Sequence, residues 1–533
     1  MKRFYKTVLF FAVLVLSFSG CADDTAVIVD EITVIERKVV TQTDDTLTIF
    51  MQRTKNLNPL HVETLEQDHI FRMICEPLVA LDYSDKPTPA IASSWEIDSL
   101  GLSATVTIDS TAKWENGEAV TADDVIFSFQ NIVSAPSASL YKNTLSYIKS
   151  ITKTSDSTLN VTFHKVFSGN ITSLNFPIIS KVQYDSAPNK DFVVPMATGP
   201  YRIDSYQDTS QMILLPNENY YREQPEISKI QVEILAGQHT EYHAYNQGIL
   251  DLLVPENKFL GEMINSSRGA IYDYMSRDFD FVGYNFSTSI FSNKAMRQVV
   301  AYALPREKII KNIYLGYAES AYTPVHPKSW LYEENVVPYN YDTSVAKTLL
   351  KNDGWTDENE DGILEKYSGG TEIKLQITIL VNEESETRSQ IAELLQQELS
   401  LIGFSVRLDK VPFEVYETKF KNQDFDLVVG SWNMSKMLDL SQIFHSAGEL
   451  NYIGYVDIAS DILLENAYNA VGEGNTLLAY SRLQQHIAEE LPYLSIAYKN
   501  QKLYMSKNVR GTIEPTVENP FASIVQWRIE HRS

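Results

Sequence analysis

Two stretches of the sequence combine residue types and spacings that could bind a metal ion. His239 and His243 stand four residues apart, so they would share one face of a helix. A zinc protease motif needs Glu directly after the first histidine, and Thr240 holds that place. Residues 357–362 (DENEDG) copy the opening of an EF-hand loop, but Ser368 stands at the twelfth position, which should carry a bidentate Glu. We expect a solvated helix start and a polar turn, and we predict neither a metal ion nor a cofactor.

Side chains that could catalyse a reaction do not form a known motif. The sequence has no Gly-x-Ser-x-Gly elbow and no phosphate-binding Walker loop. Asp123 and Asp124 follow Thr121 as in a capped helix start, so they do not indicate a pair of glycosidase carboxylates. Cys75 lies in an apolar stretch, which predicts a buried, inert thiol. We predict no catalytic residues; a secreted hydrolase is the alternative, and measurable turnover of peptides or glycosides would support it.

The first 21 residues predict an export signal that ends at a lipidation site. A basic start precedes the short apolar run 8–16, which is too short to span a membrane as a mature helix. Residues 18–21 (FSGC) resemble a bacterial lipobox, so we predict cleavage before Cys21 and acylation of its sulfur. Residues 22–45 would then be a tether, and the protein would be lipid-anchored in the cell envelope, facing the periplasm or the outer surface. Plain secretion with a free Cys21 is the alternative.

Composition excludes several classes of protein. The 533 residues include 45 Lys and Arg against 69 Asp and Glu, a net charge of −24 that disfavours nucleic acid as a partner. With 44% hydrophobic and 21% charged residues, the chain is expected to fold into roughly three or four domains. After the first twenty residues no apolar run reaches transmembrane length.

Apolar periodicity predicts a mixed α/β protein. Strands are expected over 46–51, 104–108 and 159–163, and a helical segment over 69–80. A helix is expected to begin after Thr121.

The clearest unit is a β-α-β-α-β pattern between residues 373 and 429. Strands are expected over 373–380, 404–408 and 425–429, separated by helices around 391–399 and 413–420. Such strands are parallel, and ligands of open α/β sheets bind beyond their carboxyl ends. The segment 430–434 should therefore face a cleft.

Ordered motifs spanning residues 46–510 resemble the family 5 extracellular solute-binding proteins, the dipeptide, oligopeptide and nickel-binding lipoproteins of ABC importers. The most characteristic stretch is 113–128 (KWENGEAVTADDVIFS). The others are ICEPLV at 74–79, PAIASSW at 89–95, TGPY at 198–201, NENYY at 217–221, GYN at 283–285, MRQ at 296–298, AYA at 301–303, GW at 354–355, FDL at 425–427 and NYIGY at 451–455.

The resemblance implies a two-lobed fold of the type II periplasmic-binding-protein kind with an extra inserted domain. Lobe I would comprise 46–78, 195–276 and 497–533, the insertion 79–194, and lobe II 277–496. Two crossings, near 277–281 and 497–504, would form the hinge.

The implied function is capture of a peptide or other small solute between the lobes, without catalysis, and delivery to ABC permease transmembrane subunits. The protein is expected to be a monomer. The candidate aromatic walls are Trp432, Tyr284 and Tyr452, and the candidate polar or neighbouring contacts are Asn433, Asn285, Asn451, Met434 and Asp439. Tyr284 and Tyr452 could instead be core residues.

One position departs from the family pattern. Peptide-binding members often carry an Asp a few residues beyond the Trp, which pairs with the ligand's α-amino group, whereas Ser435 and Lys436 stand here. Either Asp439 takes that role or the amine is not recognised there. A nickel chelate or an oligosaccharide is the alternative ligand. A glycan-binding lipoprotein of helical repeats is the alternative architecture, and circular dichroism would show little strand if it were correct.

Overall fold

The computed structural model describes residues 45–54, 56–187, 193–236, 239–255, 264 and 266–530. The predicted signal segment, Cys21 and the tether up to residue 44 lie outside these residues. Within them, no helix has the length and apolar character needed to cross a membrane.

Most strands belong to four sheets. The first sheet has the order β1-β10-β9-β8 and contains β1 (Thr46–Gln52), β8 (Tyr201–Gln207), β9 (Gln211–Pro216) and β10 (Lys229–Leu235). The second has the order β4-β5-β7-β6 and contains β4 (Ala92–Ile97), β5 (Ser103–Ile108), β6 (Ile148–Ser155) and β7 (Thr158–Phe163). The third has the order β11-β21-β12 and contains β11 (Leu252–Leu253), β12 (Gly269–Tyr274) and β21 (Gln501–Ser506).

The fourth sheet is the largest, with the order β14-β20-β13-β19-β17-β18. It contains β13 (Asp278–Tyr284), β14 (Ala318–Ser320), β17 (Gln376–Asn382), β18 (Ser405–Val411), β19 (Leu427–Asn433) and β20 (Tyr493–Lys499). Three two-stranded ribbons pair β2 (Val79–Leu81) with β3 (Pro87–Pro89), β15 (Glu365–Ser368) with β16 (Thr371–Lys374), and β22 (Val509–Gly511) with β23 (Trp527–Ile529).

Twelve α-helices lie among the described residues. They are α1 (Leu65–Phe71), α2 (Ala122–Ser134), α3 (Lys181–Ser186), α4 (Thr240–Gln247), α5 (Lys294–Ala303), α6 (Arg306–Asn312), α7 (Thr343–Asn352), α8 (Glu386–Ser400), α9 (Phe413–Lys421), α10 (Ser441–Phe444), α11 (Ile458–Tyr468) and α12 (Glu473–Glu490).

Helix starts follow the expected chemistry, and one helix prediction is wrong. Thr121 caps α2 in a capping box with Asp124, as the sequence indicates. The helical segment expected over 69–80 instead begins after Thr64 and ends at Phe71. The chain tightens into turns after Phe71, where the N–H groups of Met73 and Ile74 donate to the carbonyls of Ile70 and Phe71, so the helix has ended well before Pro77.

The β-α-β-α-β unit is confirmed, with two changes in strand bounds. Strand β17 runs parallel to both β18 and β19, with α8 and α9 as the connections. The strand expected over 373–380 is interrupted at Leu375, whose N–H donates to the Leu364 carbonyl. The strand expected to end at Val429 continues to Asn433, because this stretch pairs with β13 throughout.

The buried apolar side chains form two groups on either side of the chain crossings. The first core draws on residues between 47 and 274 and between 503 and 527, and it includes the second sheet as well as the first. The second core draws on residues between 279 and 498 and surrounds the fourth sheet. Cys75 lies fully buried in the first core, and burial raises the pKa of its thiol.

Two chain segments connect these cores side by side. Strand β12 leads through 275–277 into β13, and β20 leads through Asn500 into β21. Because β13 pairs with β20 and β12 pairs with β21, the two crossings are neighbours. The Ser276 hydroxyl donates to the Lys499 carbonyl and joins them. The domain boundaries remain a prediction; the one expected after residue 496 falls within β20.

Candidate ligand-binding cleft

A cavity of about 130 Å³ lies where the two cores face each other beside the crossings. Its walls come from loops far apart in the sequence. Residues drawn from 85–101 and 167–172 form one side, residues from 326–331, 434–438 and 470–480 form the other, and residues 275–277 line the crossing.

Aromatic rings and thioethers form the apolar part of the lining. Trp95, Phe167 and Trp330 contribute rings, and Met434 and Met437 contribute sulfur-containing side chains. Phe167 stacks on Tyr147 with ring centroids 5.5 Å apart and contacts Tyr468 at 4.5 Å. These contacts hold one wall in place, so little rotamer entropy is lost when a ligand packs on it.

Three lining residues carry buried polar atoms that have no hydrogen-bond partner among the described residues. These atoms are Asn170 Oδ1, Arg277 Nε and His326 Nε2. An unsatisfied buried polar atom costs about 1–3 kcal/mol, so a partner at such positions is strongly favoured. The three side chains line the cavity, but these particular atoms are themselves buried within the protein.

The protonation state of His326 follows from its surroundings. Burial and the nearby Lys328 ammonium lower the pKa of its imidazole to about 3, so the ring is neutral at physiological pH. Its Nδ1 accepts the backbone N–H of Lys328 at 2.9 Å. The proton of the neutral ring therefore resides on Nε2, which makes the unpartnered atom a hydrogen-bond donor.

A buried ion cluster closes one end of the cavity. Glu518 accepts hydrogen bonds from Arg277 at 2.7 Å, Lys436 at 3.0 Å and Arg72 at 3.4 Å. Arg277 also donates to Asp85 at 2.8 Å. Burial by itself would raise the pKa of Glu518, but the three cations outweigh it and hold the pKa well below its ordinary value.

Further contacts join the loops of the first core to the loops of the second core. The Lys86 ammonium donates to Glu473 at 2.7 Å, and the Ser168 N–H donates to the Tyr468 carbonyl at 2.7 Å. Lys436 also donates to Asn175 at 3.1 Å. Polar contacts therefore link the loops on the two sides of the cavity.

Of the residues singled out in the sequence, Met434 lies in the cavity lining. Trp432 and Tyr452 lie outside the lining and pack on Phe420 in the second core, with the centroids of the Trp432 and Tyr452 rings 6.1 Å apart. Because β19 extends to Asn433, Trp432 belongs to the sheet and not to the loop beyond it. Their role as ligand walls stays a prediction.

The other singled-out residues hold the protein together at other places. The Tyr284 hydroxyl donates to the Arg297 carbonyl, and the Asn285 amide donates to two backbone carbonyls. Asn451 bonds both ways with the Tyr455 backbone. Asn433 and Asp439 are bonded as well, Asn433 by donating to Asp278 and Asp439 by accepting the Ser441 N–H. None of these five lines the cavity.

The sequence analysis did not single out Phe167, Asn170, Arg277, His326 or Trp330, which contribute to the lining together with Met434. Asn170 begins a short 3-10 helix and the other four lie outside helices and strands, where periodicity carries no information. The two chain crossings were the useful signal, since Arg277 begins one of them.

Comparison with known proteins adds independent findings. Residues 86–450 match the model of the bacterial extracellular solute-binding proteins, family 5. The chain is similar to the oligopeptide-binding protein AppA of Bacillus subtilis, with 28% identity over 77% of this chain and 78% of that protein. It is also similar to heme-binding protein A of Haemophilus influenzae, with 24% identity over 80% of this chain and 81% of that protein.

Solved structures establish the architecture. An ABC transporter substrate-binding protein from Sinorhizobium meliloti matches 91% of this chain and 100% of its own, with a TM-score of 0.76 and 18% identity. This likeness confirms the two-lobed α/β fold that the sequence motifs implied.

Proposed function

The chain belongs to the family 5 bacterial extracellular solute-binding proteins, and from this premise we propose that it captures peptides in the cleft for an ABC importer. It is a binding protein and not an enzyme. The observation that carries the proposal is the cavity between the two cores, whose lining combines aromatic rings and thioethers with the polar side chains of Asn170, Arg277 and His326.

The polar atoms suit the main chain of a peptide. Asn170 Oδ1 accepts hydrogen bonds, whereas Arg277 Nε and His326 Nε2 donate them, and a peptide offers both N–H and C=O groups at every residue. Contacts of this kind accept many sequences, while the apolar lining provides contact area for side chains.

The two carboxylates that line the cavity, Asp85 and Glu473, are already paired with Arg277 and Lys86, which argues against recognition of a free α-amino group. Lys436 stands where peptide-binding relatives often carry an Asp, and it is paired with Glu518. Asp439, the first carboxylate beyond it, accepts the Ser441 N–H and does not line the cavity. We infer that the ligand is held through its main chain and side chains and that its amino terminus need not be free.

A metal chelate is the second candidate ligand, and one observation favours it. The thioethers of Met275, Met434 and Met437 share the cavity with His326, whose Nε2 could bind a metal only in the tautomer that gives up the Nδ1 bond to the Lys328 N–H. Imidazole and thioether groups are ligands for haem iron and for copper or nickel ions. A relative named for haem binding is among the similar proteins.

Membership of the family indicates that the protein acts outside the cytoplasm, and the lipid anchor is a further proposal. Family 5 members act outside the cytoplasm, and this chain is an extracellular solute-binding protein. We further propose that Cys21 is acylated, that the protein is a monomer anchored to the membrane by this lipid, and that it docks on the transmembrane subunits of its permease. The lipobox-like segment 18–21 supports the anchor.

Native mass spectrometry of freshly purified protein tests the proposal, because an enclosed cleft retains its solute. We expect a mass excess that fragments as a peptide; a haem or metal-chelate mass would support the second candidate instead.

With that solute, Trp330→Ala should weaken binding by about tenfold or more, since a large lining ring is lost. Trp432→Ala tests the other tryptophan, and unchanged affinity would remove it from the site. Retention of no solute and no binding to a peptide mixture would refute the proposal.

A further inference from the structure

Three acidic side chains meet in the loop that precedes β15. One carboxylate oxygen each of Asp357, Asp361 and Glu365 lie within 4.8 Å of one another. Oxygens that share one calcium ion stand 2.3–2.6 Å from it, so their mutual distances reach about 5 Å at most. The observed separation therefore fits a single ion between them.

Glu365 provides an independent indication of a ligand. Its residue is only 1% exposed, and its Oε1 accepts the Glu358 N–H at 2.8 Å. Its Oε2 has no hydrogen-bond partner among the described residues. A buried carboxylate with a bare oxygen is costly unless a cation balances it.

The loop places its donors as an EF-hand loop does at six of its positions. Asp357, Asn359 and Asp361 occupy the first, third and fifth positions, and Gly362 occupies the sixth with φ +84°. The Ile363 carbonyl and Glu365 follow at the seventh and ninth. The expected Glu at the twelfth position is missing, but here a strand and not a helix follows, and a bridge between Thr356 and Glu365 closes the loop.

We propose that residues 357–365 bind one calcium ion, with Glu365 in the ninth position providing the buried carboxylate. All these donors are oxygens, which suits a hard cation and disfavours zinc or copper. The irregular loop and the carboxylate-rich donor set suit Ca²⁺ better than Mg²⁺, which requires a near-ideal octahedron. This proposal differs from the plain polar turn that the sequence led us to expect.

One cationic side chain, Lys374, already lies beside a proposed calcium ligand and would compete with the ion, but it is held weakly. The Lys374 ammonium donates to Asp361 at 3.3 Å, and the two side chains are 35% and 39% exposed. An exposed pair of this kind contributes little, so a divalent ion can displace it.

The site lies away from the cleft. The Leu375 N–H donates to the Leu364 carbonyl, so the acidic loop lies beside the amino-terminal end of β17. The cleft lies at the opposite edge of the sheet, beyond the carboxyl end of the parallel strand β19. Ile379 of β17 lies beside Leu427 of β19, so Asn433 stands nine residues beyond the level of Gln376, which is roughly 30 Å at ~3.3 Å per residue. Calcium should therefore stabilise the fold without contacting the solute.

Isothermal titration of the EDTA-treated mature protein with CaCl2 tests the proposal. We expect one ion per chain with Kd between about 10⁻⁵ and 10⁻³ M, and weaker binding of MgCl2. Glu365→Gln should weaken calcium binding at least about tenfold. Because Glu365 is buried, Asp357→Asn, at an exposed ligand, provides a second variant with the same expected loss should Glu365→Gln fail to fold.

Glu360→Gln is the matched control, since it removes one negative charge from the same loop at an exposed residue outside the cluster. It should change the Kd by less than about threefold. The proposal is overturned if calcium does not bind at millimolar concentration, or if Glu360→Gln weakens binding as much as the ligand variants do. The latter result would mean diffuse attraction by the acidic loop.

Discussion

Replacing Glu518 by Gln tests whether the buried ion cluster holds the two sides of the cleft together. The carboxylate lies 2.7–3.4 Å from three cations and its side chain is 12% exposed. After Glu518→Gln, Arg72 keeps Asp68 and Arg277 keeps Asp85, but Lys436 keeps only the neutral Asn175. The variant therefore leaves one cation without a counter-charge.

The size of the effect follows from burial. Breaking a fully buried ion pair costs about 3–5 kcal/mol. The Lys436 side chain is 29% exposed, so solvent screens part of this loss, and we expect a decrease of roughly 2–4 kcal/mol in the free energy of unfolding. Urea denaturation followed by tryptophan fluorescence at pH 7 measures it.

The pH dependence provides a second readout of Glu518. Because its folded-state pKa is depressed, its contribution is complete above the unfolded pKa of about 4.3 and is lost as the pH falls towards the folded value. The wild-type protein should lose this stability below about pH 4.5, and the Gln variant should not. Glu514→Gln, an exposed change four residues earlier, is the control. Equal urea midpoints for wild type and Glu518→Gln would refute the reasoning.

Two further predictions concern the ligand and the anchor. N-acetylation of a bound peptide should change its Kd by less than about threefold, because the carboxylates that line the cleft, Asp85 and Glu473, are already paired with Arg277 and Lys86; a loss of tenfold or more, measured by titration calorimetry, would contradict this. Cys21→Ser should abolish incorporation of radiolabelled palmitate and release the protein from the membrane fraction, because the acylated sulfur is missing. Unchanged labelling of the variant would exclude Cys21 as the acylated residue.

The regular elements could be predicted because their signals are local. The capping box at Thr121 and the apolar spacing of α8 act within a few residues, and the structure confirms both. The parallel β17-β18-β19 arrangement followed from the alternation of such elements. Predictions from local signals were wrong where hydrogen bonding to a neighbouring strand extended an element beyond its expected end. Gly430 reads as the end of a strand, yet its backbone pairs with Phe281 and keeps β19 in the sheet as far as Asn433.

The cleft could not be predicted in the same way. Trp432 was expected beyond a strand end, and the longer strand moved it into the aromatic packing around Phe420. Arg277 and His326 gave no periodic signal, because each lies in a connecting segment. The acidic loop could be predicted in part. The resemblance of residues 357–362 to an EF-hand loop was visible in the sequence, whereas the proposed role of Glu365 depends on its burial at the start of β15.

By itself the sequence determined the fold class, the family and the order of most elements, because hydrophobic periodicity, capping residues and ordered motifs act over short distances. Only the tertiary structure decided which side chains meet in the cavity and which carboxylates meet in the loop. Those groups come from segments that are distant in the chain or from strand ends set by pairing, and their proximity depends on packing that no local pattern encodes.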